Sequence, residues 1–590
     1  MGRGQSITLF PFLLVTFKHS HILRYTASLN CIFFLILWTS LYSDHTKVNS
    51  HLNSLRLLPL LALCFVSTLL ASASGSDIPV TEFLAVPADD FLSSLGNAME
   101  LVRNANSAAH SFVFGRNGDV GISSKNSFSD CIDLLDLSAD ALGWSVTAIQ
   151  NPSSRNDIGT CGISSDLKAW LSGALALHET CLKGFEGTET SQKSILPVQS
   201  LLRHSSSAIA DLLHMVRPST GRAFTKKCDQ LPSWFNLDDN QVLEAGMNHE
   251  LVPDVVVAQD GTGNHRTITE AVKVAPINST HRHVIPVEKG VYREKVEIKN
   301  NNWNTVMVGQ GMDATIVSWN QSVGPNVTTY KTATFSVTGR GFIACNMTFK
   351  NTAGPEWNQS VALRSDSDMS VFFRGGIRAY QDTLYPHSFR QFYRECQISG
   401  TIDFICGNAA AVFQYCEILV RRGRPDEVTN TITANSRSNG SETTGFSFQR
   451  CNILADSSLV LYVNMTNTFL GRPWRKFSMT VFMKSYMTEI IHPLGWVPWN
   501  ASRLYLETLY YEEYQNHGPR ARTTGRVNWS GYHLIDSAEA SNFTVARLIE
   551  GDLWLTSTGI AYASGLDPET RVPLRAHNTS GNCWSTCLCN

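Results

Sequence analysis

The sequence predicts two folds in series, an α-helical bundle followed by an all-β module of short strands. Three observations carry this. From about residue 89 to 225 the text is rich in Leu, Ala and Ser at helical spacing. After Leu251 it breaks into short β-rich runs punctuated by Gly, Asn and Asp, with no long helical segment among them. The two regimes meet near residue 245, and at 590 residues the chain is too long for one ordinary core.

A leader is expected over residues 1–75. Residues 31–42 (CIFFLILWTSLY) are too short to span a bilayer comfortably, since about 20 apolar residues are needed. Residues 57–70 follow Arg56 and end in Ala71-Ser72-Ala73, the order of a secretory signal peptide. A signal-anchor using the first run is the competing reading. Sequons at Asn278, Asn326, Asn464, Asn528 and Asn542 suit a secreted protein.

The helical module is placed at residues 76–227. Ile132, Leu135, Leu137 and Leu142 fall near one face of one segment; Leu167, Trp170, Leu171, Leu175 and Leu182 do so on another. A third amphipathic stretch covers residues 194–215, and the whole reads as a bundle of about four helices. Cys131 and Cys181 lie on two of them, where a disulfide would staple the bundle. Residues 228–250 have mixed polarity and no sustained period, as a linker does.

The β module is placed at residues 251–566. Its runs include 255–257, 284–287, 305–308, 332–337, 371–373, 445–448 and 479–483, recurring in places every 20–25 residues. That suits the coils of a parallel β-helix or a sandwich, and periodicity alone does not separate the two. Asn346, Asn351 and Asn408 at strand ends suit turns in the left-handed region. Residues 567–590 form a tail with Cys583, Cys587 and Cys589. The net charge of −2 gives no electrostatic argument for nucleic acid, though the basic run at 421–424 could meet an acidic polymer.

Three segments are dense in polar residues beside apolar strands: Gln381-Asp382-Thr383-Leu384-Tyr385, residues 400–408 around Asp403, and Leu470-Gly471-Arg472-Pro473-Trp474. Asp382 and Asp403 stand 21 positions apart, close to one coil of a β-helix, where they would stack. Two carboxylates in a partly dry cleft cannot both ionise easily, so their pKa values separate. One then serves as nucleophile or base and the other as proton donor. Alone, each Asp reads as a turn residue and Arg-Pro-Trp as a surface cation–π contact.

Together these segments resemble the plant-type pectin methylesterases. The resemblance runs over residues 251–566 and rests on Gly290-Val291-Tyr292-Arg293-Glu294, Gln359-Ser360-Val361-Ala362-Leu363, QDTLY from Gln381, DFICG from Asp403 and LGRPW from Leu470. The helical region, most clearly residues 170–187, is similar to the inhibitor-like pro-domain preceding many such enzymes. The resemblance implies a right-handed parallel β-helix acting on methyl-esterified homogalacturonan without metal or cofactor, as a secreted cell-wall monomer that contacts its own or another esterase through the pro-domain. It implies Asp403 as nucleophile, Asp382 as acid and base, and Gln381 with Gln359 as oxyanion donors. Arg472 would pair with Asp403, Trp474 and Thr329 would line the sugar cleft, and Cys396 and Cys416 would form a family disulfide.

Some positions depart from the family. Cys406 stands where Phe is usual, Gly375 where Cys is frequent, and no basic processing motif precedes the β module, whose approach reads DDNQVL. The pro-domain's usual first cysteine pair is not evident. A non-catalytic pectin-binding or esterase-inhibiting wall protein is therefore the second reading, separated from the first by methanol release. A lyase would need a calcium-binding acidic cluster and a galacturonase a trio of aspartates, and neither pattern stands out.

Overall fold

The computed structural model describes residues 83–571, except 115–121, 152–157, 161, 187–191, 219–252, 325–326, 502 and 568–569. The expected leader and linker, the sequon at Asn326 and the C-terminal cysteine cluster thus lie outside the described residues. No helix among the described residues is long and apolar enough to cross a membrane.

Among the described residues four long helices come first: α1 (Ala88–Phe114), α2 (Ile122–Gln150), α3 (Ile163–Gly184) and α4 (Gln192–Met215). In α1, Phe91, Leu95, Ala98, Val102, Ala105 and Ala109 are buried at helical spacing, the stripe that an amphipathic helix turns toward a core. Ile132, Leu135, Leu137 and Leu142 are likewise buried, and Cys131 is disulfide-bonded to Cys181, tying α2 to α3. Helix α3 differs, being buried almost all round. Asp166, Trp170, Ser172, Gly173 and Ala176 are covered as fully as Leu171 and Leu177.

The β module is a parallel β-helix, which decides between the two folds that periodicity left open. Three sheets of ten, eight and seven strands stack their members coil by coil. Neighbouring strands in each are parallel, as in Ser370–Phe373 beside Arg390–Arg394. The 255–257 run makes only two isolated bridges, from Val257 to His265 and to Val287, and the 332–337 run shortens to Phe335–Val337.

Two features pin the coils in register. Phe372, Tyr393, Phe413, Phe448 and Phe482 occupy one register position on successive strands. Their rings stack at 4.9, 4.7, 4.5 and 4.5 Å, close to the strand spacing. The turn from the ten-strand to the eight-strand sheet repeats a left-handed residue: Asn346, Arg374, Glu395, Tyr415, Arg450 and Lys484, each with φ between 50° and 56°. Such a residue reverses the chain in minimal length. Of the three expected asparagines only Asn346 does this. Asn351 donates instead to the carbonyls of Gln321 and Val361, and Asn408 to Glu442.

The next position of that turn carries Gly375, Cys396, Cys416 and Cys451. Cys396 and Cys416 are buried free thiols, which corrects the disulfide implied by the family resemblance. Each thiol sits over a neighbouring coil, Cys396 Sγ donating to the Phe372 carbonyl at 3.3 Å and Cys416 Sγ to the Tyr393 carbonyl at 3.5 Å. Gly375 continues the column, where a Cβ would rest 3.9 Å from Cys396 Sγ.

Candidate active site

The turn from the eight-strand to the seven-strand sheet builds the site. Leu384 pairs with Ile405, a step of one coil, so the residues two before each, Asp382 and Asp403, occupy equivalent turn positions. Both adopt left-handed backbone, with φ of 57° and 48°, which Asp tolerates better than most residues. Backbone bonds tie the turns together: Asp382 N–H donates to the Ile402 carbonyl at 3.1 Å, and Thr431 N–H to the Thr401 carbonyl at 3.1 Å.

The two carboxylates have different surroundings. Arg472 grips Asp403 with a fork, Nε to Oδ1 at 2.8 Å and Nη2 to Oδ2 at 2.6 Å. Such a bidentate guanidinium–carboxylate fork is short and fixes the plane of the carboxylate. Asp382 is buried, and its carboxyl makes no hydrogen bond among the described residues. Burial and the neighbouring Asp403 charge push its pKa well above the ordinary carboxylate range, outweighing Lys183 and Arg472. One carboxylate is thus clamped by a guanidinium, and the other is buried with its pKa raised.

A cavity of about 340 Å³ opens over the pair. Thr329, Gln359, Gln381, Arg472 and Trp474, all expected from the sequence, line it with both aspartates. The amides of Gln359 and Gln381 engage no other side chain among the described residues. The Trp474 ring stacks with Trp499 at 6.5 Å, and the Arg472 guanidinium lies 4.3 Å from the Trp499 centroid. Cys406, buried, faces the cavity from the strand that follows Asp403.

Three contributors escaped the sequence reading. Thr431 Oγ1 donates to Asp403 Oδ1 at 2.6 Å and accepts from the Asp403 N–H at 2.9 Å. It sits 28 residues beyond Asp403, on the next coil, so counting coils would have found it. Trp499 gave no signal, being far from any motif. The third is Lys183, from α3, whose Nζ stands 3.6 Å over the Trp474 ring. Burial, then Arg475, lowers the Lys183 pKa to about 8 against the pull of Asp382.

Helix α3 lies along the same face of the β-helix. Asp166 pairs with Arg390 at 2.7 Å, and Arg390 also binds Asp368 at 2.7 Å. Trp170 Nε1 donates to Asp368 at 3.0 Å, Thr180 meets His387 at 2.5 Å, and Glu179 pairs with Arg475 at 2.6 Å. The bundle's apolar core runs on without a break into Tyr330, Val361, Tyr385, Phe389, Cys406 and Ala434 of the β-helix.

Comparison with known proteins matches both modules to described families. Residues 254–552 match the family described as Pectinesterase, and residues 62–211 the family described as Plant invertase/pectin methylesterase inhibitor. Pectinesterase/pectinesterase inhibitor PPE8B of Prunus persica is 47% identical over 514 residues, covering 86% of this chain and 96% of that one. Probable pectinesterase/pectinesterase inhibitor 32 of Arabidopsis thaliana is 46% identical over 506 residues, with 84% and 94% covered. Among solved structures, pectin methylesterase from carrot is similar at 44% identity and a TM-score of 0.53, covering 54% of this chain and all of that one. With one family matched over half of its length and relatives aligned along nearly all of theirs, the chain belongs to the pectinesterase family of carboxylic ester hydrolases.

Proposed function

We propose that this protein hydrolyses the methyl esters of homogalacturonan, with Asp403 as nucleophile and Asp382 as acid and base. The observation that carries the reading is the pairing of an Arg472-clamped carboxylate with a buried one whose pKa is raised, over one cavity. The Asp403 carboxylate attacks the ester carbonyl carbon while the side-chain amides of Gln359 and Gln381 donate to the developing oxyanion. Losing one such donor costs about 10²–10³ in rate. Asp382 gives its proton to the departing methoxide oxygen, and methanol leaves an acyl-enzyme on Asp403. The Asp382 carboxylate then takes a proton from water as that water attacks the acyl carbon, which frees the galacturonate and restores both groups. Trp474 and Thr329 supply the cleft wall for the sugar.

The helical domain restrains the same site. Lys183 over Trp474 and the α3 contacts at Asp166, Trp170 and Glu179 support a capped cleft, with room for a short esterified oligosaccharide and an obstructed path for a long chain. Action outside the cell, in the wall, fits the N-terminal apolar run and the exposed positions of Asn278, Asn464, Asn528 and Asn542. Methanol release by the full-length chain from methyl-esterified oligogalacturonides tests the chemistry. Asp403→Asn is expected to lower the rate by at least about 10³-fold; a variant with the wild-type rate would sink the mechanism.

A further inference from the structure

We infer that Thr431 is a positioning residue that selects which oxygen of Asp403 attacks. The inference rests on Asp403 being the nucleophile and adds the atom.

A carboxylate oxygen presents about two acceptor sites. Oδ1 of Asp403 receives two donors, the Thr431 hydroxyl at 2.6 Å and Arg472 Nε at 2.8 Å. Among the described residues Oδ2 receives one, Arg472 Nη2 at 2.6 Å. Oδ1 is therefore saturated and Oδ2 keeps a free lone pair. The Thr431 hydroxyl cannot turn away cheaply. It accepts the Asp403 N–H at 2.9 Å, so its single proton is left to point at Oδ1.

Its backbone is equally fixed. Thr431 lies in the strand Thr429–Asn435, is almost fully buried, and pairs with Phe469 on the following coil. Asp403, in contrast, sits in a left-handed turn with φ of 48°. A strand residue thus holds a turn residue at both its N–H and its carboxylate. Arg472 alone would give each oxygen one donor. Thr431 makes them different, and Oδ2 becomes the oxygen that bonds to the ester carbon and later releases the acyl group.

The test uses the full-length chain with short methyl-esterified oligogalacturonides. Thr431→Val removes the hydroxyl while keeping the branched shape; it is expected to lower kcat by about 10–100-fold, with KM changed less than about twofold. Thr431→Ser restores the donor and is expected to return kcat to within about threefold of wild type. A crystal structure of Thr431→Val, independent of turnover, is expected to show the Asp403 carboxylate rotated from its present plane. An unchanged kcat, a loss expressed in KM alone, a serine variant no better than valine, or an unmoved carboxylate each overturns the inference. If Asp403→Asn itself stays active, the nucleophile assignment falls and takes this inference with it; if Asp403→Asn is dead while Thr431→Val is not, only the role of Thr431 falls.

Discussion

Helices α1 and α3 belong to one bundle yet have opposite relations to their surroundings. Helix α1 buries a single stripe and leaves the rest to water; α3 is buried almost all round. Amphipathicity explains the first. The second needs a partner for the back face, and in this chain that partner is the β-helix. The polar residues on that back face are matched one by one, Asp166 to Arg390 and Trp170 to Asp368, because burying them unpaired would cost more than the contact returns.

Arg390 holds the largest share of the α3 contact. Arg390→Leu strands Asp166 and Asp368 in a buried interface, and removing one partner of such a pair costs about 3–5 kcal/mol. Thermal unfolding of the full-length chain reads the loss, and methanol release from long-chain pectin should rise as the cap loosens. Wild-type stability in this variant would mean α3 is not docked.

The two mid-helix glycines give a paired test. A Cβ on Gly173 of α3 would lie 2.2 Å from the Phe389 ring, whereas Gly96 of α1 has nothing within 4 Å. Gly173→Ala is therefore expected to destabilise by about 1–3 kcal/mol through overpacking. Gly96→Ala is expected to stabilise by about 0.5–1 kcal/mol through helix propensity. Equal effects from denaturant titration would erase the distinction between the helices.

A pH effect at Lys183 tests the same contact. Its pKa in the docked protein, about 8, is below the ordinary 10.5, so the undocked form holds the proton more tightly across that window. Docking therefore strengthens as pH rises from about 8 to about 10.5 and is penalised below it. Buried Asp382 works in the opposite direction, since its ionisation on raising pH destabilises the fold. The difference between wild type and Lys183→Met isolates the lysine: the variant should gain most in thermal midpoint at about pH 7 and least at about pH 10. A constant difference would show that the Lys183 charge is not what the contact opposes.

Much of this was legible in the residues. The apolar faces of α2 and α3 and the one-coil spacing of Asp382 and Asp403 follow from local periods of the chain, and the Cys131–Cys181 staple was reached from two cysteines on neighbouring helices. The cleft residues Thr329, Gln359, Gln381, Arg472 and Trp474 were reached through family motifs, and they converge on one cavity. Thr431 was obscured because its own segment reads as ordinary strand, and only register brings it to Asp403. The implied disulfide failed for a related reason: spacing puts Cys396 and Cys416 on adjacent coils, but a column of turn residues can stack as thiols as well as bond.

The sequence by itself determined the two modules, the strand period that stacks the aspartates, and the residue types needed for ester chemistry, because these depend on short-range spacing. Tertiary structure alone decided the register that brings Thr431 onto Asp403 from the next coil, the stacking of Cys396 and Cys416 as free thiols, and the placing of Lys183 of α3 over Trp474. The physical reason is range. Periodicity records which face of an element is apolar, but not which distant surface will cover it.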